Sequence, residues 1–349
     1  MWPYFAFISI PAALGLSGQR RASLLQQLFI LALYVVFMGW RYQVGSDWWG
    51  YQILHRRAAA QEYWDLLFKL EPASNILFKL SYDWSGTMVL SNAVAAAILT
   101  GGIMTFARRT NEPWLALVSA TPYLVIAFGM SGIRQAMAAG ILLYVLSNED
   151  KWTIGVQAIW VAIAALFHAS GVVGLGFVLI GWRAQPAIKF SLIGVILIVA
   201  VYLALNGGDE GVLDTYSGRY VGERSVASIG SLFHISFILI PAAMGWWFRR
   251  QVLPAVPFPA LLYGGFLATV LVVAMQFVSS TGASRLTVYL YFVPMMVYPA
   301  FLATMPGKSA TSYRALIVIG HVALLAGWLL FANNSAAHIP YRSYLFMDL

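Results

Sequence analysis

Two stretches of the sequence set an arginine where it could grip phosphate. In Gly129-Met130-Ser131-Gly132-Ile133-Arg134-Gln135 and in Thr281-Gly282-Ala283-Ser284-Arg285, a serine stands just ahead of an arginine at the head of an apolar run. Ser131 and Ser284 read as N-caps. Each helix would then turn its unpaired N–H groups and positive dipole end toward a guanidinium, a combination suited to phosphate or pyrophosphate. A third arginine, Arg41, follows the apolar run Leu24 to Met38, where a cation is favourable through the helix dipole alone. Asp47, six residues on, reads as its partner or as a separate catalytic carboxylate. His168, in Phe167-His168-Ala169-Ser170, is the one histidine at an outer helix–helix turn inside the apolar body. A satisfied packing residue is its plainer reading, but a group titrating near neutrality is also a candidate base or hydrogen-bond donor.

Other chemistries lack their residues. There is no HExxH and no Asp-x-Asp, so no metal site is expected, and there is no G-x-S-x-G serine elbow. No glycine-rich nucleotide motif follows a strand. The absence of cysteine excludes disulfides and thiolate ligands.

The elements that must position these residues are membrane helices. Of the 349 residues 60% are hydrophobic and 10% charged, against about 45–50% and 25% in soluble domains; mean hydropathy is +0.76. We expect an all-α polytopic membrane protein in a single integral domain, residues 1–349, with about twelve spans: 2–16, 24–40, 87–107, 113–129, 131–147, 152–167, 170–182, 188–205, 229–248, 260–279, 286–304 and 314–331. The first is read as a retained helix, since no basic residue or convincing cleavage site marks a signal peptide. The run Trp152 to Trp182 exceeds one crossing and is split at Phe167–Gly171.

Charge then sorts the loops. One set holds eleven Lys and Arg against three acidic residues, which by the positive-inside rule makes it cytoplasmic and puts both termini outside. Basic residues punctuate the spans without forming a run, so nucleic acid is not expected as a partner. The opposite face carries Arg41, Arg56, Arg57, Arg134, Arg219, Arg224, Arg285 and Arg342, which topology does not require. Snorkelling to headgroups explains any one of them; several on one face favour a polyanion site. Within the extracytoplasmic loop 41–86, Gln52 to Trp84 reads as two amphipathic helices lying in the interface, broken at Glu71-Pro72, or as a loop packed on its neighbours. The glycine-rich, charged segment 206–228, which contains Arg219, reads as a flexible extracytoplasmic connector or lid.

Taken in order, Arg41-Tyr42-Gln43-Val44-Gly45-Ser46-Asp47-Trp48-Trp49-Gly50-Tyr51, Glu71-Pro72, Ile133-Arg134-Gln135, Phe167-His168-Ala169-Ser170, Ser284-Arg285-Leu286 and Ile339-Pro340-Tyr341-Arg342 resemble the EpsG family of Wzy-like exopolysaccharide polymerases. Ser46 and Trp48 stand where that family often has Thr and Tyr. The resemblance implies a GT-C-like fold and a metal-independent, cofactor-free glycosyltransferase. Such an enzyme would join undecaprenyl-pyrophosphate-linked oligosaccharide repeat units at the outer face of a bacterial inner membrane, beside a chain-length regulator and export machinery. Asp47 is then the first choice of base and His168 the second. Arg41, Arg134, Arg285 and Arg342 would hold pyrophosphate. Trp48 and Tyr51 would stack on sugars, with Glu71, Gln135, Arg219 and Tyr341 completing substrate contacts, although interfacial enrichment accounts for Trp and Tyr equally well. A flippase for the same lipid-linked sugar would need polar residues at mid-membrane and broken helices on both sides. A membrane O-acyltransferase would need a histidine-centred site.

Overall fold

The computed structural model describes residues 1–181, 229–277 and 279–346. The expected span 188–205, the segment 206–228 and Arg219 lie outside the described residues. Among those described, the structure is helical apart from one isolated bridge between Arg41 and Ser343. The α-helices are α1 (Trp2–Ser17), α2 (Leu24–Gly39), α3 (Trp48–Ala59), α4 (Tyr63–Leu67), α5 (Pro72–Ser85), α6 (Val89–Ala107), α7 (Pro113–Ala120), α8 (Ile133–Leu146), α9 (Ile154–Phe167), α10 (Gly174–Gly181), α11 (Ile229–Trp247), α12 (Arg249–Val252), α13 (Pro259–Met275), α14 (Ser280–Leu286), α15 (Phe292–Ala303) and α16 (Gly307–Phe331). A π-helical stretch, Thr121–Gly129, carries α7 toward α8.

Among the described residues, only α6 and α16 are long and apolar enough to cross a bilayer alone; the pairs Ser231–Trp247 with Arg249–Ala255 and Gly282–Leu290 with Phe292–Ala303 qualify together but bend by 83° and 46°. The described residues also hold seven shorter apolar helices of 10–17 residues. Large apolar side chains stud its outside, among them Leu25, Phe29, Leu271, Leu316 and Ile319, as a lipid-facing surface requires.

Backbones meet most closely where α2, α6 and α8 pack. A Cβ on Gly102 of α6 would lie 2.0 Å from the Gly140 carbonyl oxygen of α8, and one on Gly140 would lie 2.6 Å from the Ile98 oxygen. On α2, a Cβ at Gly39 would lie 2.9 Å from Ala93 Cα. Small residues allow this approach between membrane helices, where packing and not the hydrophobic effect drives association. It fixes α8, whose first turn carries Arg134 and Gln135.

The expected split between Phe167 and Gly171 is present. Helix α9 is capped by the Thr153 side chain and stops at His168, whose backbone is extended; a 3-10 turn, Ala169–Val173, leads into α10. The break at Glu71-Pro72 is present too, with Pro72 at the start of α5. Three helices, not two, fill the loop. The first begins at Trp48, directly after a turn in which Gly45 has φ +112 and its missing Cβ would stand 2.1 Å from the Met130 oxygen. Only glycine satisfies both conditions.

Both serine caps are corrected. Gly132 is the N-cap of α8, and Ser131 Oγ instead accepts from the Ser46 N–H at 3.1 Å, holding the Gly45 turn. Helix α14 starts earlier than expected because Ser279 offers a cap first, its hydroxyl accepting from the Gly282 N–H at 3.1 Å. Ser284 and Arg285 therefore lie in the last turn of α14, and Ser284 Oγ sits 2.6 Å from His234 Nδ1.

The chain after α16 folds back onto the α2–α3 linker. Tyr42 N–H donates to the Arg342 oxygen at 2.9 Å, Tyr344 N–H to the Trp40 oxygen at 2.8 Å, and Gly45 N–H to the Ala337 oxygen at 2.8 Å. At the far end of the bundle, Arg314 and Arg109 pair with Glu112 and Asp150 at 2.9 and 2.5 Å.

The glycine contacts set an internal control. A Cβ on Gly101 meets nothing within 4 Å. Gly102→Ala should lower the thermal unfolding midpoint in detergent, at the overpacking cost of about 1–3 kcal/mol or more. Its neighbour Gly101→Ala should leave that midpoint unchanged; equal effects would refute close α6–α8 packing.

Candidate active site

A cavity of about 890 Å³ opens between the loop helices and one end of the bundle. Helix α3 contributes Tyr51, Leu54 and Arg57; the α4–α5 turn contributes Lys69, Leu70 and Glu71; α8 contributes Arg134 and Gln135; the α9 turn contributes His168 and α14 contributes Arg285. Asp47, at the N-terminal cap position of α3, also faces this space.

Glu71 organises the wall. Its side chain is 1% exposed, and three donors converge on its carboxylate. Arg134 Nη1 pairs with Oε2, His168 Nδ1 lies 2.7 Å from Oε1, and the Ala169 N–H donates to Oε1 at 2.9 Å. The backbone here is costly. Glu71 has φ 60 and ψ 54, a left-handed conformation that costs a non-glycine residue about 1–3 kcal/mol, and it precedes proline. Ser74 helps hold it by donating to the Phe167 oxygen at 2.7 Å, which ties the start of α5 to the end of α9. Burial alone would raise the Glu71 carboxyl, but His168, Arg134 and the Ala169 N–H together hold it below the usual glutamate value.

A carboxylate only accepts hydrogen bonds, so the imidazole nitrogen facing Glu71 carries the proton. That orients His168 and leaves Nε2 as its basic nitrogen. Arg134 reaches across to α3, its guanidinium 5.9 Å from the Tyr51 ring. Gln135 Nε2 donates to the Arg285 carbonyl oxygen at 2.8 Å and so joins α8 to α14.

Of the residues singled out in the sequence, the cavity gathers Asp47, Tyr51, Glu71, Arg134, Gln135, His168 and Arg285. It leaves four others off its wall. Arg41 is buried, donating from Nε to the Val44 oxygen at 3.1 Å and from Nη1 to the Met38 oxygen, so its charge closes the end of α2. Trp48 is buried edge-on against Tyr42. Tyr341 stacks on Phe37 at 4.5 Å and donates to the Phe37 oxygen. Arg342 is exposed and donates to Gln43 Oε1 at 2.7 Å. Among the described residues no group of three or more His, Asp or Glu side chains could hold a metal ion.

Sequence reading missed the pairing of Glu71 with His168 and passed over Lys69, and it named Arg57 only among the outer-face arginines. The available signal for the pair was one ionisable residue beside a helix-starting proline and another interrupting an apolar run. Lys69 looked like the solvated face of an amphipathic helix.

Removing one member of a buried ion pair typically costs about 3–5 kcal/mol, so Glu71→Ala should unfold at a markedly lower temperature than wild type. Because the folded carboxyl is depressed, its contribution is full above pH 4.5, the ordinary glutamate value, and is lost as pH falls through the lower folded value. Glu71→Gln should flatten that acid limb of a midpoint-against-pH curve. An unchanged acid limb would refute an ionised Glu71.

No curated protein and no solved structure matches the chain. The model of the EpsG family matches residues 24–343. With the ordered motifs now gathered largely around one cavity in an all-helical, strongly apolar bundle, the chain belongs to the EpsG family.

Proposed function

We propose that this protein is a repeat-unit polymerase. It joins oligosaccharides carried on undecaprenyl pyrophosphate at the outer face of a bacterial inner membrane and releases the lipid pyrophosphate. Family membership supports an exopolysaccharide-related, polymerase-like role. The observation that carries the finer reading is the Glu71-centred group, in which one buried carboxylate orients a base, His168, and an anion binder, Arg134, on the same cavity wall. The proposed frame is the GT-C-like bundle of about twelve spans with both termini periplasmic, served by a chain-length regulator and export machinery.

In this mechanism an acceptor sugar hydroxyl gives its proton to His168 Nε2 while its oxygen bonds to the anomeric carbon of the donor chain. The bond from that carbon to the pyrophosphate oxygen breaks, and its electron pair leaves with the pyrophosphate. Arg134 and Arg285 stabilise the charge that gathers there, a role that grows toward the transition state. Glu71 keeps the imidazole in the working tautomer and stabilises the imidazolium. Asp47, at the positive end of α3, sits where a helix dipole favours an anion; we assign it to holding the acceptor and His168 to taking the proton. The order of the two candidate bases is thereby reversed.

The substitutions that separate these roles keep side-chain shape. His168→Gln retains a donor toward Glu71 but has no basic nitrogen, so polymer synthesis in isolated membranes should fall by about 10²–10⁴-fold. Asp47→Asn should fall by less than about tenfold. A cell carrying His168→Gln should accumulate single repeat units on the outer leaflet. Full-length polymer from His168→Gln, or a deeper loss in Asp47→Asn, would remove His168 as the base. Single units trapped on the inner leaflet in a deletion strain would indicate a flippase instead.

A further inference from the structure

The cavity holds more positive charge than one leaving group needs. Four cations line it, Arg57, Lys69, Arg134 and Arg285, against two carboxylates, Asp47 and Glu71, a surplus of two with His168 neutral. The cations fall into two groups. Arg134 of α8 and Arg285 of α14 belong to the bundle side, and Arg134 shares Glu71 with His168. Arg57 and Lys69 belong to the loop helices, and neither forms an ion pair among the described residues. Arg57 lies six residues beyond Tyr51 on α3, about 9 Å along the helix axis, whereas the Arg134 guanidinium is 5.9 Å from the Tyr51 ring itself.

The second group sits among apolar side chains. Ile53 and Leu54 of α3, Leu66 of α4 and Leu70 just after it, from the same loop elements, also line the cavity. Ile53 and Leu70 are each 51% exposed, and Phe68, beside Lys69, is 76% exposed. Cations next to exposed aliphatic and aromatic surface recognise an anionic headgroup that carries a lipid tail. Resting on the polymerase reading above, we propose that Arg57 and Lys69 form a second pyrophosphate subsite, so that two lipid-linked chains occupy the one cavity together. Two such headgroups are what joining one lipid-linked chain to another demands. With 890 Å³, the space stands near the top of the range of roughly 300–1,000 Å³ for small-ligand sites. The subsite places one pyrophosphate at Arg134 and Arg285, where the bond breaks. It places the other at Arg57 and Lys69, where it positions the incoming sugar and takes no part in bond breaking.

Titration tests this directly. Farnesyl pyrophosphate, a short prenyl pyrophosphate, is added to the full-length protein in phosphatidylcholine nanodiscs, and binding stoichiometry is read by calorimetry. Wild type should show two binding events per chain. The double variant Arg57→Ala/Lys69→Ala, altered only at exposed positions, should keep one event within about threefold of its original affinity. The second event should weaken by about 10- to 100-fold. A single event in wild type, or two unaltered events in the double variant, overturns the second subsite and leaves the polymerase reading standing. No event in folded wild type overturns the pyrophosphate reading of the whole cavity. Repeating the titration with phosphatidylglycerol in the nanodisc separates the sources. If that lipid abolishes only the second event, the two cations hold bilayer headgroups and the proposal fails; if both events persist, the subsite is specific for pyrophosphate.

Discussion

The carboxylate of Glu71 is the point on which the site's geometry turns. A buried anion needs partners, and those it has come from two places distant in sequence, the first turn of α8 and the break after α9. One ionised group therefore sets the position of a guanidinium, the tautomer of an imidazole and the path of the chain through the Ala169 N–H. The strained φ of Glu71 is tolerable because the side chain is over-determined. Without that carboxylate, Arg134 and His168 would still line a cavity, but nothing among their described contacts would orient the imidazole.

The bundle supplies the rigidity this arrangement requires. Close packing of α6 against α8 through Gly102 and Gly140 leaves the first turn of α8 little freedom to shift. The loop helices α3 and α5 are then laid over that end, joined to it by Gly45 at the Met130 oxygen and by Ser74 at the Phe167 oxygen. Each of these contacts uses a small residue or a short hydroxyl. Longer side chains would hold the loop helices at a distance and open the cavity.

How much of this was legible in the sequence depends on the range of the interaction. The break at His168 and the break at Glu71-Pro72 follow from helix length and proline stereochemistry, both local properties, and they stand in the structure; of the twelve expected spans, the described residues give two helices long and apolar enough to cross a bilayer alone, or four if each bent pair is one span. The serine caps failed because a cap is chosen in competition: Ser279 precedes Ser284, and Ser131 finds a better use in holding the Gly45 turn. Arg41 was singled out for its unusual place, yet its guanidinium is consumed by backbone carbonyls of its own turn. The Glu71–His168 pair spans nearly a hundred residues, and no periodicity carries that information. Membership of a family could gather the motifs, but only coordinates could say that two of them meet at 2.7 Å.

The fold-back of the last segment onto the α2–α3 linker carries a consequence for how the protein is built. Residues 337 to 344, which follow the last long helix, hydrogen-bond to Trp40, Tyr42 and Gly45, nearly three hundred residues earlier. Helix α3, a wall of the cavity, leaves the ribosome early, but its mooring arrives after α16. Such long-range closure is slow, because the entropy of bringing distant segments together is lost before any contact rewards it. Assembly of the cavity is thus a late event in biogenesis. A nascent chain with most of its helices inserted would still lack a seated α3, so unfinished copies have no assembled cavity.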